Sequence, residues 1–507
     1  MDNIKNNKRI AKNTLLLYLR HIVVMLVSLY TSRVTLDVLG VTDYGIYNVV
    51  GAIVVLFSFL YQSLSFATQR YLSFYIGKND YEQVRKVFCL SINIYAILSL
   101  IIIVLAESVG LCFFSSKLNI PADRVDIAFW VYQISILSCV VNIFRIPYYS
   151  SIIAYEKMSF FAYLGICEVV LKLILVYLLY ISAFDKLLVY AVLLFGLQLT
   201  TFFVYKIYCN RKFESTKYRF LWDRSLSKQL LSFSGWTMFE CSSNIAANQG
   251  LAFLLNIFTG VVANAALGVA NQIYSAVNSF VASFQVAFKP QLVKSYAEGN
   301  TDYFFSLIFK TSKFSYYLIL IMAAPIIVFC DDILTVWLVV VPEYAVSFTR
   351  LMLVFFMIDA LSGPLWSSIE ATGNIRNYQI FISVCTLSNF PLSYLVLKFG
   401  FSPVYCIMIR VGINFIAHFI RVFYLRGLVH FPSFKYILDV VCPVFFITLL
   451  SVVLPLLLYK DSLSLVQLML RLSLSVVYIF FVIWIFGLKT SERGFIFEII
   501  RKKLKRV

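Results

Sequence analysis

Basic side chains inside long apolar stretches are the residues of this sequence best suited to bind a charged ligand. Arg20, Arg33, Lys172, Arg350 and Arg410 have such surroundings. A cation at the centre of a bilayer costs at least about 2.5 kcal/mol, so each side chain is expected to face protein or water. Since guanidinium groups match phosphate oxygens bidentately, the five residues predict a cationic lumen that binds an anion such as a diphosphate or an acidic sugar.

Two of these cations also have an acidic neighbour at helical spacing. Asp37 follows Arg33 by four residues, and Glu168 precedes Lys172 by four, so each pair shares one helix face. A structural ion pair is therefore an equally good interpretation of Arg33 and Lys172. The other three have no acidic residue three or four positions away, which favours the lumen. A sixth cation, Arg471, is expected to snorkel or to contact lipid phosphate.

Amide side chains form stripes along three of the apolar stretches. Residues four or seven positions apart lie on one face of a helix. Because polar groups are costly in lipid, the stripes are predicted to line a wet cavity, with hydrogen bonding between packed helices as the alternative. The stripes comprise Asn48, Gln62 and Gln69, then Asn244 and Asn248, and finally Asn271, Asn278 and Gln285.

Two carboxylates are candidates for coupling to an ion gradient. Glu240 and Asp359 lie in apolar stretches, where partial desolvation allows a carboxylate to exchange a proton. The alternative is that each is the counter-ion of an arginine. Pro147 and Pro364 each remove a helical hydrogen bond, which makes them hinge candidates, although simple kinks also explain them. No cofactor is predicted beyond an H⁺ or Na⁺ gradient.

The elements that must position these residues are membrane-spanning helices. The 507 residues are 61% hydrophobic and only 13% charged, with a mean hydropathy of +0.86, whereas soluble domains carry about 25% charged residues. This composition excludes a soluble protein and predicts an all-α integral membrane protein. A bilayer needs roughly 20 apolar residues per helix. Fourteen such stretches lie near 14–36, 46–69, 89–113, 127–150, 160–182, 187–209, 229–255, 262–288, 314–337, 346–369, 378–397, 403–425, 436–459 and 463–488.

The distribution of charge predicts the orientation of the chain. There are 43 Lys and Arg against 25 Asp and Glu, a net charge of +18. The cations concentrate in every second connection and at both termini, which places both termini in the cytoplasm. Arg145, Lys206 and Arg421, near span ends, are assigned to the adjacent connections, and Lys289 falls just outside the stretch 262–288. The basicity is thus explained without a nucleic-acid partner.

Metal binding and catalysis have no sequence signal. The ten Cys and three His are scattered without the spacing of a zinc site, so no metal site is predicted. An integral membrane enzyme would need paired acids or a His-based constellation at one membrane face, and neither is found. The chain is therefore expected not to be an enzyme.

The sequence contains an internal repeat, with three pairs of similar segments at equivalent places in its two halves. The repeat predicts two six-helix bundles with the same orientation, which suits transport by alternating access. The predicted domains are a first bundle at 1–209, a basic cytoplasmic linker at 210–228, a second bundle at 229–428, and a further helix pair with a basic tail at 429–507. The matching segments are Pro147-Tyr-Tyr-Ser-Ser-Ile-Ile-Ala154 with Pro364-Leu-Trp-Ser-Ser-Ile-Glu-Ala371, Gly45–Asn48 with Gly268–Asn271, and Gly77–Asp80 with Gly299–Asp302.

Several short motifs resemble bacterial polysaccharide flippases of the multidrug/oligosaccharidyl-lipid/polysaccharide exporter superfamily. The ordered set covers most of the first twelve stretches. The motifs are Arg33 followed by Leu39-Gly-Val-Thr-Asp-Tyr-Gly-Ile-Tyr47, then Ile153-Ala-Tyr-Glu-Lys-Met158, Phe233-Ser-Gly-Trp236, Ala266-Leu-Gly-Val-Ala-Asn-Gln-Ile273 and Ala371-Thr-Gly-Asn374.

The resemblance implies a specific transport activity. It implies two six-helix bundles around a central cavity in the bacterial cytoplasmic membrane. Through this cavity an undecaprenyl-diphosphate-linked oligosaccharide, an O-antigen or capsule repeat unit, would pass from the inner to the outer leaflet. It further implies alternating access, a proton or sodium gradient, contact with membrane lipids, and a polysaccharide polymerase or assembly machinery as partner. The alternatives are a multidrug and toxin extrusion antiporter and a peptidoglycan-precursor flippase of the same superfamily. Arginine in the lumen argues against organic cations as cargo.

Overall fold

Helices make up the fold of the chain. The computed structural model describes residues 2–55, 58–112, 121–338, 341–459, 465–490 and 492–494, in which no strand occurs. The side chains of Arg33, Asn48 and Gln62 lie outside the described residues. The described α-helices are α1 (Asp2–Val55), α2 (Ser58–Gly77), α3 (Tyr81–Leu105), α4 (Val125–Ala154), α5 (Met158–Leu178), α6 (Lys186–Lys212), α7 (Arg224–Ala297), α8 (Thr301–Val328), α9 (Cys330–Trp337), α10 (Ala345–Thr372), α11 (Arg376–Leu387), α12 (Asn389–Lys398), α13 (Val404–Val429), α14 (Ser433–Tyr436), α15 (Cys442–Leu458) and α16 (Leu465–Val482).

The helices are those of an integral membrane protein. Within the described ranges, ten are long and apolar enough to cross a bilayer. In lipid the backbone must satisfy its own hydrogen bonds, which a helix does within one segment. Large apolar side chains remain on the surface, with Ile181 83% and Phe184 81% exposed. The all-α membrane class is confirmed, and the count of fourteen spans stays a prediction.

The two longest helices are each broken once, at a glycine. Gly40 in α1 has φ 75° and ψ 170°, and Gly260 in α7 has φ 72° and ψ −158°. A positive φ of this kind is costly for any residue with a Cβ, so glycine is the residue that permits the break. The breaks fall between predicted spans one and two and between spans seven and eight, which are equivalent places in the two halves of the repeat.

The proline motif has the same local geometry in both halves of the sequence. The Ser151 hydroxyl donates to the Pro147 carbonyl at 2.8 Å, and the Ser368 hydroxyl donates to the Pro364 carbonyl at 2.6 Å. Since a proline cannot donate to the helical ladder, the hydroxyl bonds add local contacts at each proline. Both prolines lie inside continuous helices, α4 and α10.

The turns that precede α3 and α8 show that one of the three repeat matches is shifted along the chain. Asp80 caps α3 by accepting from the Gln83 amide at 3.1 Å, and Asn300 caps α8 by accepting from the Tyr303 amide at 3.1 Å. Asp80 is therefore structurally equivalent to Asn300, whereas the match between the sequence segments Gly77–Asp80 and Gly299–Asp302 paired it with Asp302. The motif match at this turn was thus out of register, because cap position rather than residue identity defines equivalence.

Contacts divide the chain into two compact units. Unit 1 comprises Met1–Ile10, Phe239–Ser295 and Asn300–Val507, and unit 2 comprises Ala11–Met238 and Tyr296–Gly299. The core of unit 1 includes Leu255, Phe348 and Ile407, and that of unit 2 includes Tyr132 and Ile136. The domain limits drawn from the sequence stay a prediction.

The basic segment 210–228 packs against the rest of unit 2. The Asn93 amide donates to the Leu221 carbonyl at 2.9 Å, and the Tyr218 hydroxyl donates to Asn93 Oδ1 at 2.8 Å. Tyr155, just after α4, stacks on Phe213 with a ring-centroid distance of 4.0 Å. These contacts fix the backbone, while the basic side chains of Lys217 and its neighbours remain exposed, as an orientation signal requires.

A three-residue ion cluster ties together one end of unit 2. Arg124, just before α4, donates from Nη2 to Asp43 Oδ2 at 2.6 Å and from Nη1 to Asp185. Asp185 also caps α6 by accepting from the amides of Leu187 and Leu188. The hydrogen bond that Arg124 donates to Asp185 raises the pKa of Arg124 above its usual value. The cluster therefore links α1, α4 and α6 near the ends of their spans.

Candidate functional site

Unit 1 contains a buried ion pair between α7 and α10. Lys289 Nζ lies 2.7 Å from Glu370 Oε2, and the two side chains are 8% and 4% exposed. The Lys289 ammonium also lies over the Trp366 ring, 4.8 Å from its centroid. Because a buried charge is costly unless it is paired, the two residues depend on each other.

Glu240 brings a second carboxylate to this pair. It lies on α7 within electrostatic range of Glu370, Lys289 and Arg421. The Gln379 amide of α11 lies beside it and is fully buried. Neither Oε1 nor Nε2 of Gln379 has a hydrogen-bond partner of normal geometry among the described residues. Glu240 therefore has a polar neighbour whose hydrogen-bonding capacity is not used up.

Arg421 supplies the opposing charge from α13. Its Nε donates to the Tyr378 hydroxyl at 3.2 Å, and the residue is only 7% exposed. Its Nη1 has no hydrogen-bond partner within the described part of the chain. A guanidinium with an open donor can shift its attachment between carboxylates without a large movement.

Asp359 on α10 extends the cluster. It lies within electrostatic range of Arg421 and Arg410. The Arg410 guanidinium lies over the Phe355 ring at 4.7 Å, and Asn414 of the same helix donates to the Phe355 carbonyl at 3.0 Å. The cation–π contact partly offsets the loss of hydration of Arg410.

The described charges of this cluster balance. The carboxylates of Glu240, Asp359 and Glu370 face the cations of Lys289, Arg410 and Arg421. We call these six residues the charge cluster. Uptake of one proton or Na⁺ by a carboxylate would leave the cluster with one excess positive charge, so the cluster can respond electrostatically to an ion.

Unit 2 contains a second polar group around Arg20. The Arg20 guanidinium lies 4.4 Å from the centroid of the Phe161 ring on α5. A Cβ on Gly165 would overlap the Arg20 Nε, so the absence of a side chain at 165 makes room for the arginine. The Nε atom is buried and has no hydrogen-bond partner among the described residues.

Cations outnumber acids in this part of unit 2. Arg145 of α4 donates from Nη1 to Glu168 Oε1 at 3.3 Å. Glu168 thus pairs across helices, and it also lies within electrostatic range of Lys172, the neighbour on its own helix that the spacing indicated. Arg20 and Arg145 both lie within electrostatic range of Tyr149. We call Arg20, Arg145, Glu168 and Lys172 the cationic group, which has three positive charges and one negative charge.

The other predicted cations have contacts of their own. Arg350 donates from Nη2 to Asp331 Oδ2 at 2.6 Å and from Nε to the Ile327 carbonyl at 2.9 Å. Its counter-ion lies on α9, so residue spacing along α10 alone could not identify it. Arg471 donates from Nη1 to the Leu458 carbonyl at 2.6 Å. The role of Arg350 in binding stays a prediction, as does that of Arg33, whose side chain is outside the described residues.

The amide stripes have different surroundings. Asn244 and Asn248 are exposed and donate to backbone carbonyls of their own helix, at 3.2 Å to Glu240 and 2.8 Å to Asn244. Asn271 is exposed, Asn278 and Gln285 are partly buried, and Gln69 is buried. Gln285 packs against Gly363. Predictions for Asn48 and Gln62 fall outside the described side chains.

The comparisons with known proteins agree with this architecture. Residues 10–296 match the family model described as "Polysaccharide biosynthesis protein". The chain belongs to the polysaccharide biosynthesis protein family. No curated protein sequence matches it.

Solved structures with the same fold are transporters. An outward-facing multidrug resistance transporter of the MATE family and MOP superfamily superposes with a TM-score of 0.73 at 14% identity, over 84% of this chain and 96% of that chain. A MOP superfamily transporter from Pyrococcus furiosus, described as having a binding pocket of reversed polarity, superposes with a TM-score of 0.70 at 14% identity, over 85% and 96%. A MATE protein in the straight conformation gives 0.70 at 16% identity, over 85% and 97%. The chain therefore shares its fold with these structures.

Four cations of this polysaccharide biosynthesis protein that the sequence assigned to connections lie inside helices. Arg145, Lys206, Lys289 and Arg421 belong to α4, α6, α7 and α13. The helices run beyond the apolar windows, α7 to Ala297 and α13 to Val429. The sequence contains the partners of these cations, Glu168, Glu370 and Trp366. It does not show which cation each partner contacts, because that depends on which helices pack together.

Proposed function

We propose that this polysaccharide biosynthesis protein is a flippase that moves an undecaprenyl-diphosphate-linked oligosaccharide from the inner to the outer leaflet of the bacterial cytoplasmic membrane. The family and the fold are those of a multi-pass membrane transporter. The observation that carries the finer proposal is the excess of cations in the cationic group, where Arg20, Arg145 and Lys172 face one acid, Glu168. Arginine pairs suit the oxygens of a diphosphate.

The charge of the cationic group separates the two candidate cargoes. Like charges repel, and an organic cation entering this group would lose hydration and meet three cations, while the one acid, Glu168, is already paired with Arg145. A lipid-linked diphosphate gains attraction from the same residues. The likeness to MATE structures is a likeness of fold at 14–16% identity, and the side chains of this chain favour an anion.

The charge cluster of unit 1 supports coupling to an ion gradient. Glu370 is already held by Lys289 at 2.7 Å, so Glu240 and Asp359 are the carboxylates left to bind a proton or Na⁺. Loss of one negative charge frees Arg421 or Arg410 from part of its attraction. This alters which helix contacts are most stable, and a change of that kind is what alternating access requires.

The test is deletion of the gene in its native bacterium, followed by analysis of surface glycan and of lipid-linked intermediates in each leaflet. We expect loss of surface glycan and accumulation of lipid-linked oligosaccharide in the inner leaflet. Intact glycan with new sensitivity to cationic drugs would replace the proposal by an extrusion antiporter. Accumulation of single repeat units in the outer leaflet would replace it by a polymerase.

A further inference from the structure

A separate cavity opens in unit 1, and none of its lining residues belongs to the charge cluster. Its volume is about 380 Å³. The start of α8, the short helix α14 and the segment after the last described helix contribute its walls. Four lysines line the cavity together with three acids; these are Lys310, Lys313, Lys435 and Lys489, and Asp302, Asp439 and Glu492.

Two ion pairs fix part of the cavity wall. Lys313 Nζ lies 3.1 Å from Glu492 Oε2, with side chains only 5% and 8% exposed. The Lys489 ammonium lies 3.2 Å from Asp439 Oδ2, and the Lys489 amide donates to Glu492 at 2.8 Å. These contacts join α8 to the chain after α16. Two of the lysines and two of the acids are therefore already neutralised.

The other two lysines remain available. Lys310 is partly buried and Lys435 is exposed, and neither forms an ion pair with a described residue. Asp302, the remaining acid of the lining, is exposed to solvent, which screens it. A cavity of this volume with two uncommitted ammonium groups suits an anion of the size of a phosphate headgroup.

The surroundings of the cavity indicate a lipid. Phe434 and Leu438 flank Lys435 and Asp439 in sequence and are 75% and 52% exposed. On a membrane protein such apolar side chains face acyl chains, while basic residues beside them contact headgroups. Because the cation pair and the apolar surface are adjacent, one molecule with a phosphate and an acyl chain can contact both.

We propose that this cavity binds the phosphate headgroup of an anionic phospholipid, with Lys310 and Lys435 as the ligands of the phosphate. The acyl chain lies along Phe434 and Leu438. The site is distinct from the cationic group and does not depend on which cargo is transported.

The experiment compares lipid retention by two double variants of the full chain. Lys310→Gln with Lys435→Gln removes the two free ammonium groups. Lys212→Gln with Lys228→Gln removes two exposed cations from the basic segment predicted to be on the same membrane side, so it controls for bulk charge. Each protein is reconstituted in bilayers of phosphatidylethanolamine and phosphatidylglycerol, and bound phosphatidylglycerol is measured by native mass spectrometry and by titration. About 1 kcal/mol per basic residue predicts phosphatidylglycerol binding about 30-fold weaker in the cavity variant. The control removes only non-specific surface attraction, so its saturable binding should keep the wild-type affinity to within a few-fold.

Two results would overturn the proposal. Equal phosphatidylglycerol binding by wild type and the cavity variant would remove Lys310 and Lys435 as ligands. Saturable binding of inorganic phosphate in neutral detergent, lost in the cavity variant and accompanied by no preference for phosphatidylglycerol, would assign the cavity to soluble phosphate. Since no measurement involves transport, these outcomes are independent of the proposed cargo.

Discussion

The Arg20 guanidinium can lie over the Phe161 ring because Gly165 has no side chain. We predict that Gly165→Ala lowers transport of lipid-linked oligosaccharide in proteoliposomes by about 10- to 100-fold, because it displaces one charge-assisted contact of about 1.5–3 kcal/mol. Arg20→Gln should have the same effect, while Arg20→Lys should retain part of the activity.

The matched control for this change is Gly196→Ala on α6. A Cβ at residue 196 meets no atom within 4 Å, so transport should be unaffected. Lys12→Gln removes an exposed charge from the same helix as Arg20 and should also be neutral. Wild-type transport by Gly165→Ala and Arg20→Gln would remove Arg20 from the binding site.

The buried Lys289–Glu370 pair should contribute to the unfolding free energy of the protein. Removing one partner leaves an uncompensated buried charge, so Lys289→Met or Glu370→Gln should each cost about 3–5 kcal/mol of unfolding free energy. The double variant should recover much of this loss, as measured by thermal unfolding in detergent. The pair Arg350–Asp331 is 40% and 49% exposed, so Arg350→Gln should cost no more than about 1 kcal/mol. Additive losses in the double variant would show that the two buried residues act independently.

Glu240 is predicted to couple transport to an ion gradient. With Glu240→Gln we expect transport to lose its dependence on a proton or sodium gradient, because the amide cannot exchange a proton and binds Na⁺ weakly. Asp359→Asn is the parallel change on α10. Rates in proteoliposomes with and without an imposed gradient provide the measurement, and an unchanged gradient dependence in both variants would exclude these carboxylates as coupling sites.

At the scale of elements, the breaks at Gly40 and Gly260 determine where the two longest helices change direction. Alanine at either position would be forced to a positive φ with an extended ψ, a region that is essentially restricted to glycine, so Gly40→Ala and Gly260→Ala should each destabilise the protein by about 1–3 kcal/mol. A change within a regular helix, Gly235→Ala, meets no atom within 4 Å and should be neutral or slightly stabilising. Thermal unfolding distinguishes the cases, and equal stability of all three variants would mean that the breaks carry no strain for alanine.

At the scale of the whole molecule, the basic connections predict the orientation. In a variant lacking the ten native cysteines, Lys398→Cys should react with a membrane-impermeant maleimide in intact cells. Lys228→Cys should react only after permeabilisation. Both lysines are exposed, so accessibility depends on the side of the membrane alone. The opposite labelling pattern would reverse the predicted orientation, because it would place the basic connections outside.

Sequence alone determined the class of the protein and many of its polar residues. Hydropathy is a property of single residues summed over a helix length, so the all-α membrane class follows from composition. The same reasoning drew attention to Arg20, Glu240 and Asp359, since a charge in an apolar stretch is costly wherever the helix packs. The repeat was also visible, because it preserves residues that shape the backbone, as at Pro147 and Pro364.

Only the tertiary structure decided which charges meet. Lys289 lies beyond its apolar window but still inside α7, and Arg421 lies inside α13, where the packing of neighbouring helices buries it; both belong to the charge cluster. Ion pairs such as Arg145 with Glu168 join different helices. Spacing along one helix identifies neighbours three or four residues apart, whereas contacts between helices depend on how their faces pack, and packing is a property of the whole bundle.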